Sequence, residues 1–172
     1  MKRQQRIATV VSAYILSACA AMLAPDTNPN DPQAVLRAIG VKRDEFEKVT
    51  NYIGPNAANK PDSLFIRAVK TDAGRMTYQI YVMDQYDGEW RFYNSAFDSN
   101  GTKLNTTQIS RDVIACGSSS CIQQEHLGLN VSREYLEKAQ QLGIRFKVSG
   151  RAGEEIFFIP SAYIRAFLAV AK

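Results

Sequence analysis

The chain predicts an α+β fold, a single twisted antiparallel sheet of about six to eight strands with two main helices packed on one face. Three observations predict it. Segments with period-two apolar patterning succeed one another through the middle of the chain. Capped helical patterning stands before and after them. No stretch alternates strand and helix in the rhythm of parallel βαβ units.

The first helix opens at Asp31-Pro32. Asp31 can accept from free N–H groups, and proline is favoured at the first helical position. Val35, Leu36 and Ile39 form its apolar stripe, and Gly40 is read as its stop. Charges alternate over residues 44–48, and residues 49–53 read as a strand ended by Gly54-Pro55.

Residues 63–70 alternate Leu64, Ile66 and Ala68 with Phe65, Arg67 and Val69. Residues 76–83 alternate Met76, Tyr78, Ile80 and Val82 with Thr77, Gln79, Tyr81 and Met83. This is strand patterning, rich in β-branched and aromatic side chains. Asp87-Gly88 is a hairpin signal, with residues 89–95 as the returning strand. Strands at residues 108–116 and 122–131 follow. A regular hairpin between them sets Asp112 opposite Glu125, a poor pair that a bulge or longer loop would relieve.

Ser132 caps a helix that extends to Leu142 and closes at Gly143. Residues 144–148 and 155–159 form two more strands. Pro160-Ser161 starts the last helix, whose apolar positions are Ile164, Phe167, Leu168 and Ala171.

The N-terminus sets the address. Lys2, Arg3 and Arg6 precede an apolar run from Ile7 to Leu16. That run is roughly ten residues, against the ~20 needed to span a bilayer. A basic start, a short apolar stretch and small residues mark a secretory signal. Leu16-Ser17-Ala18-Cys19 resembles the lipobox of bacterial lipoproteins. The resemblance implies cleavage after residue 18 and acylation of Cys19, which becomes the lipid anchor. In the enteric form of that family an aspartate after the cysteine retains the protein in the inner membrane; Ala20 is not aspartate, so the resemblance implies the outer membrane, facing the periplasm. Residues 19–30 read as lipidated cysteine and tether, able to reach about 40 Å at ~3.3–3.6 Å per residue. Residues 31–172 read as one domain.

The formal net charge is +4, but three basic residues leave with the signal, so 18 basic and 17 acidic residues remain. Such a balance carries no electrostatic argument for nucleic acid. In an oxidising periplasm Cys116 and Cys121 are expected to form a disulfide around Gly117-Ser118-Ser119-Ser120. A second, fainter resemblance covers most of the mature chain. It rests on Val49-Thr50 with Gly54-Pro55, on Trp90 with Ala96, Asp98, Gly101 and Leu104, and on Ile159-Pro160 with Tyr163-Ile164 and Phe167-Leu168. These stretches resemble small proteobacterial lipoproteins with no assigned activity, and the resemblance carries no catalytic residue across.

Chemistry is sparse in the sequence. His126 is the one histidine, so a serine triad would need it together with Ser118, Ser119 or Ser120, and no nucleophile elbow surrounds those serines. A solvated strand histidine is expected instead. Asp98-Ser99-Asn100-Gly101 resembles the start of a calcium loop but lacks the later ligands, and reads as a turn. Glu154-Glu155 and the Asp44, Glu45, Glu47 group read as solvated edges. No cofactor or metal is expected.

Aromatic residues are the remaining lead. Tyr81, Met83 and Tyr93 are expected to form an exposed strip on a sheet face, suited to a partner. The expected function is a non-catalytic, lipid-anchored envelope protein that binds another envelope protein through that face. A peptidoglycan or glycan-binding module is the alternative, and a small periplasmic hydrolase the third reading.

Overall fold

The computed structural model describes residues 27–172. The predicted signal, Cys19 and most of the tether lie outside the described residues. Helix α1 (Pro32–Ala38) leads into strands β1 (Gly40–Asp44), β2 (Val49–Ile53), β3 (Ser63–Thr71), β4 (Met76–Asp87), β5 (Tyr93–Asp98), β6 (Lys103–Cys116) and β7 (Cys121–Val131). Helix α2 (Arg133–Ala139), strands β8 (Ile144–Gly150) and β9 (Glu154–Ile159), and helix α3 (Ser161–Val170) complete the chain.

The caps act as the sequence predicts. Asp31 Oδ1 accepts from Gln33 N at 2.9 Å and Ala34 N at 3.2 Å. Ser132 Oγ accepts from Tyr135 N at 3.1 Å. The second helix is shorter than expected, ending at Ala139. Gly143, at φ +83°, donates its N–H to Ala139 O.

The strands form one nine-stranded sheet in the order β1-β2-β3-β4-β7-β6-β5-β8-β9. Every neighbouring pair is antiparallel. The α+β class is as predicted, and the sheet is one strand larger than its predicted upper bound. The strand missed is β1. Gly40 does not merely end the helix; it starts an edge strand paired in register with Ile53. Val41, Lys42 and Arg43 are all exposed, so no apolar alternation marks the strand.

The predicted hairpin at Asp87-Gly88 does not form. Strand β4 continues to Asp87 and pairs with β3 and β7, whereas β5 pairs with β6 and β8. The spatial order β4-β7-β6-β5 is a Greek key. Residues 88–92 therefore cross from one side of the β6–β7 pair to the other. They form a strap, not a strand.

The β6–β7 register shifts between Gln108 and Ser110 and again between Val113 and Ala115. The second shift, counted back from the disulfide, corrects the expected Asp112–Glu125 pairing. Asp112 faces Gln124, and Arg111 faces Glu125. Cys116 and Cys121 close the hairpin with an S–S bond of 2.02 Å.

Alternate side chains of the central strands are buried. Ile66, Ile80, Leu127 and Leu129 join Leu136 of α2 and Tyr163 and Phe167 of α3 in one core cluster. Each fully buried aliphatic or aromatic side chain contributes about 1.5–3 kcal/mol. Helix α3 touches both other helices, and β9 comes close to β3. The Tyr163 hydroxyl donates to Pro55 O at 2.7 Å and accepts from Ile66 N at 3.3 Å. Gly54 permits that approach, since a Cβ there would lie 2.0 Å from the tyrosine oxygen.

Candidate functional site

Two sets of side chains stand on opposite faces of β7. Odd-numbered residues from Gln123 to Leu129 are buried, and even-numbered Gln124 and His126 lie on the other, half-buried face.

On the half-buried face, Phe65 stacks on Tyr81 with ring centroids 4.6 Å apart and planes at 20°. The Tyr81 ring meets His126 edge-on at 5.9 Å. Hydrogen bonds extend the row. The Tyr81 hydroxyl lies 2.5 Å from His126 Nδ1, and His126 Nε2 lies 2.9 Å from Gln124 Oε1. Since Gln124 Oε1 can only accept, the proton is assigned to Nε2 and the tyrosine donates to Nδ1. The Arg67 guanidinium lies 5.3 Å from the Tyr81 ring centroid, and its Nε donates to Gln79 Oε1 at 2.9 Å. Gln79 Nε2 then donates to Asn130 Oδ1 at 2.8 Å. Gly128 leaves room for Gln79, because a Cβ there would fall 2.4 Å from its amide.

Both ring nitrogens of His126 are already engaged, Nδ1 by the Tyr81 hydroxyl and Nε2 by Gln124, so neither is open to a substrate. Burial lowers the imidazole pKa below 6.5, with Asp112 at 3.6 Å opposing the shift. Ser118, Ser119 and Ser120 stand beyond Cys121 at the hairpin tip. Five residues of strand separate Cys121 from His126, roughly 16 Å. The structure does not bring the triad candidates together.

Of the predicted strip, Tyr81 and Met83 share this face. Tyr93 does not. It is fully buried on the opposite side, where its hydroxyl donates to Asp84 Oδ2 at 2.6 Å. The expected strip therefore loses Tyr93; Tyr81 and Met83 stay together, half-buried and not exposed, with Phe65 and His126 beside them. Tyr93 lands inside because β5 lies beyond β6 and not beside β4.

The buried face holds a polar cluster that sequence reasoning missed. Glu125, 0 % exposed, accepts from Phe92 N at 2.8 Å, Tyr93 N at 3.0 Å and Arg111 Nε at 2.9 Å, and from the Tyr86 hydroxyl. Burial alone would raise its pKa, but these donors hold it below 4.5. Asp84 binds Arg91 as well as Tyr93, yet burial dominates and its pKa is raised above 3.8. The Arg91 guanidinium also reaches Glu155 Oε2 at 3.3 Å and stacks on Tyr86 at 4.2 Å. Glu155 thus reaches the rim of this cluster through Arg91 while its side chain stays 42 % exposed; Glu154 pairs with Lys147 at 2.8 Å. Gly150 lets the strap pack closely, since a Cβ there would lie 2.2 Å from Arg91 O.

The cluster fixes the strap in a strained form. Phe92 has φ 54°, a left-handed conformation costing of order 1–3 kcal/mol for such a residue. Beside it lies a cavity of about 400 Å³ lined by Trp90, Phe92, Ser119, Ser120, Gln123 and Arg151, among others. Gln123 donates through Nε2 to Gly88 O at 3.2 Å, while its buried Oε1 accepts no hydrogen bond. An unsatisfied buried acceptor costs about 1–3 kcal/mol.

Comparison with known proteins finds no family model, no curated protein and no solved structure that matches this chain.

The remaining sequence candidates resolve into local structure. Asp98 Oδ1 accepts from Asn100 N and Thr102 N, and Tyr135 donates to Oδ2 at 3.0 Å, so the calcium-like segment is a turn. Asp44 closes the β1–β2 turn by accepting from Phe46 N and Glu47 N. Among the described residues no group of histidine, cysteine and carboxylate side chains is arranged to hold a metal ion. Among them also, no helix is long and apolar enough to cross a membrane.

Proposed function

We propose that the protein is a lipid-anchored envelope protein that acts by binding another envelope protein, not by catalysis. Acylated Cys19 holds it in the outer membrane, and residues 19–30 tether the domain on the periplasmic side. The face built on Phe65, Tyr81, Met83 and His126 is the partner-binding surface.

One observation carries this reading. Aromatic and amide side chains run unbroken across three adjacent strands, and their hydrogen bonds and ring contacts go to one another within the face. They are locked in place without being deeply buried. A rigid aromatic surface gives up little side-chain entropy on association, which favours hot-spot contacts. The separation of His126 from Ser118–Ser120 removes the geometry a serine hydrolase needs.

The test is in-cell crosslinking of the full-length protein followed by mass spectrometry. One dominant crosslinked protein, weakened by Tyr81→Ala and by Cys19→Ser, is the expected result. Recovery of no protein above background overturns the reading.

A further inference from the structure

We propose that the cavity beside Trp90 is a second binding site, for an N-acetylated amino-sugar unit of a glycan. It lies on the opposite side of β7 from the partner-binding face and does not depend on that reading.

The cavity is built, not incidental. Its aromatic lip, Trp90 and Phe92, belongs to the strap that Glu125 and Arg91 pin down. The ring centroids of the lip are 6.4 Å apart and tilted at 43°. Phe92 is further flanked by Arg111 and Arg151, whose guanidinium carbons lie 5.1 and 5.7 Å from its ring centroid. Across the cavity, the Cys116–Cys121 bond fixes the hairpin tip that presents Ser119 and Ser120. A volume of about 400 Å³ falls in the range of small-ligand pockets.

The lining selects the ligand. Glu89 and Arg151 bring one charge of each sign, so the cavity favours neither anion nor cation. Aromatic rings suit the C–H face of a pyranose, and serine hydroxyls suit its ring hydroxyls. Gln123 is 6 % exposed, and its side-chain carbonyl is the one buried side-chain oxygen or nitrogen without a partner among the described residues. An acetamido N–H supplies the donor it lacks. The terminal amide torsion is soft, so a small turn of Gln123 can bring the carbonyl to the ligand.

Trp90 is the single tryptophan of the chain, so its fluorescence reads the cavity directly. The experiment titrates the full-length protein, in detergent, with tri-N-acetylglucosamine and separately with maltotriose. A saturable change in Trp90 emission is expected with the first, with affinity at least about tenfold above that for the second. Gln123→Met should weaken binding about tenfold, and Arg151→Ala, at an exposed position, should weaken it without any effect on folding. Tyr81→Ala should leave the titration unchanged. No response, equal response to both sugars, or full affinity in both cavity variants overturns the proposal.

Discussion

Arg111 Nε lies 2.9 Å from Glu125 Oε2, across a hairpin in which one bulge, between Val113 and Ala115, brings the two residues opposite each other. Without the extra residue between Val113 and Ala115, Asp112 would take that place and set two carboxylates together. The bulge turns a repulsive pair into an attractive one and points Arg111 toward the strap. Glu125 then gathers Tyr86, Phe92 and Tyr93, and the strap is held over β7.

Glu125→Gln is therefore expected to destabilise the fold at neutral pH by about 2–3 kcal/mol, since it weakens several hydrogen bonds to a buried charge. The sign of its pH dependence follows from the depressed pKa. Its contribution is full above 4.5, the ordinary value, and is lost as pH falls through the lower folded value. Asp84 works in the other direction. Its pKa is raised by burial, so acid protonates it first in the folded chain and favours folding as pH falls toward 3.8. Thermal melts between about pH 3 and pH 6 should show a steep acid loss in the native chain and a flatter one in Glu125→Gln.

His126 titrates alone in the imidazole region, being the only histidine. Its NMR midpoint is expected below 6.5, because burial disfavours the charged ring. Asp112→Asn removes the carboxylate that opposes this, so the midpoint should fall further. The ring contributes stability in its neutral form above 6.5, and that contribution is lost as pH falls through the folded value. A midpoint that rises in Asp112→Asn contradicts the assignment.

Reduction of Cys116–Cys121, or its replacement by two serines, should cost about 2 kcal/mol, as expected for so short a loop. Denaturant unfolding with and without reductant measures it. The loss should fall on the cavity as well, because the same bond fixes Ser119 and Ser120.

Much of the fold was legible because its signals are local. Asp31 and Ser132 cap their helices within three residues, and the alternation of β3 requires only its own sequence. What was not legible depends on distant partners. Strand β1 carries no alternation because both its faces are exposed. Tyr93 is buried because its strand, β5, pairs with β6 and β8 and not with β4, its nearest strand in the sequence. The cluster of Asp84, Arg91 and Glu125 joins residues from β4, the strap and β7, and only the Greek key brings them together. The charge clash at Asp112 did hint at the bulge, but not at its position.

Tyr93→Phe separates the two faces. It removes the bonds to Asp84 and Arg91 and should cost about 1–3 kcal/mol, read as a lower denaturation midpoint. Capture of the partner protein should be unchanged, because Tyr93 is buried on the far side. Tyr81→Ala should abolish capture; because it also removes the Phe65 stack and the bond to His126, it should cost about 1–3 kcal/mol of its own, so the loss of capture, not the loss of stability, is what sets it apart from Tyr93→Phe.

The most direct measurement places a photoreactive residue in the full-length protein at Met83, at Gln79 or, as a control, at Glu134 on α2. After irradiation in cells, the account predicts one dominant envelope protein attached at Met83 and Gln79, absent at Glu134, and reduced by Tyr81→Ala. Equal attachment at all three positions, or none at Met83 and Gln79, would contradict a partner-binding face on this side of the sheet.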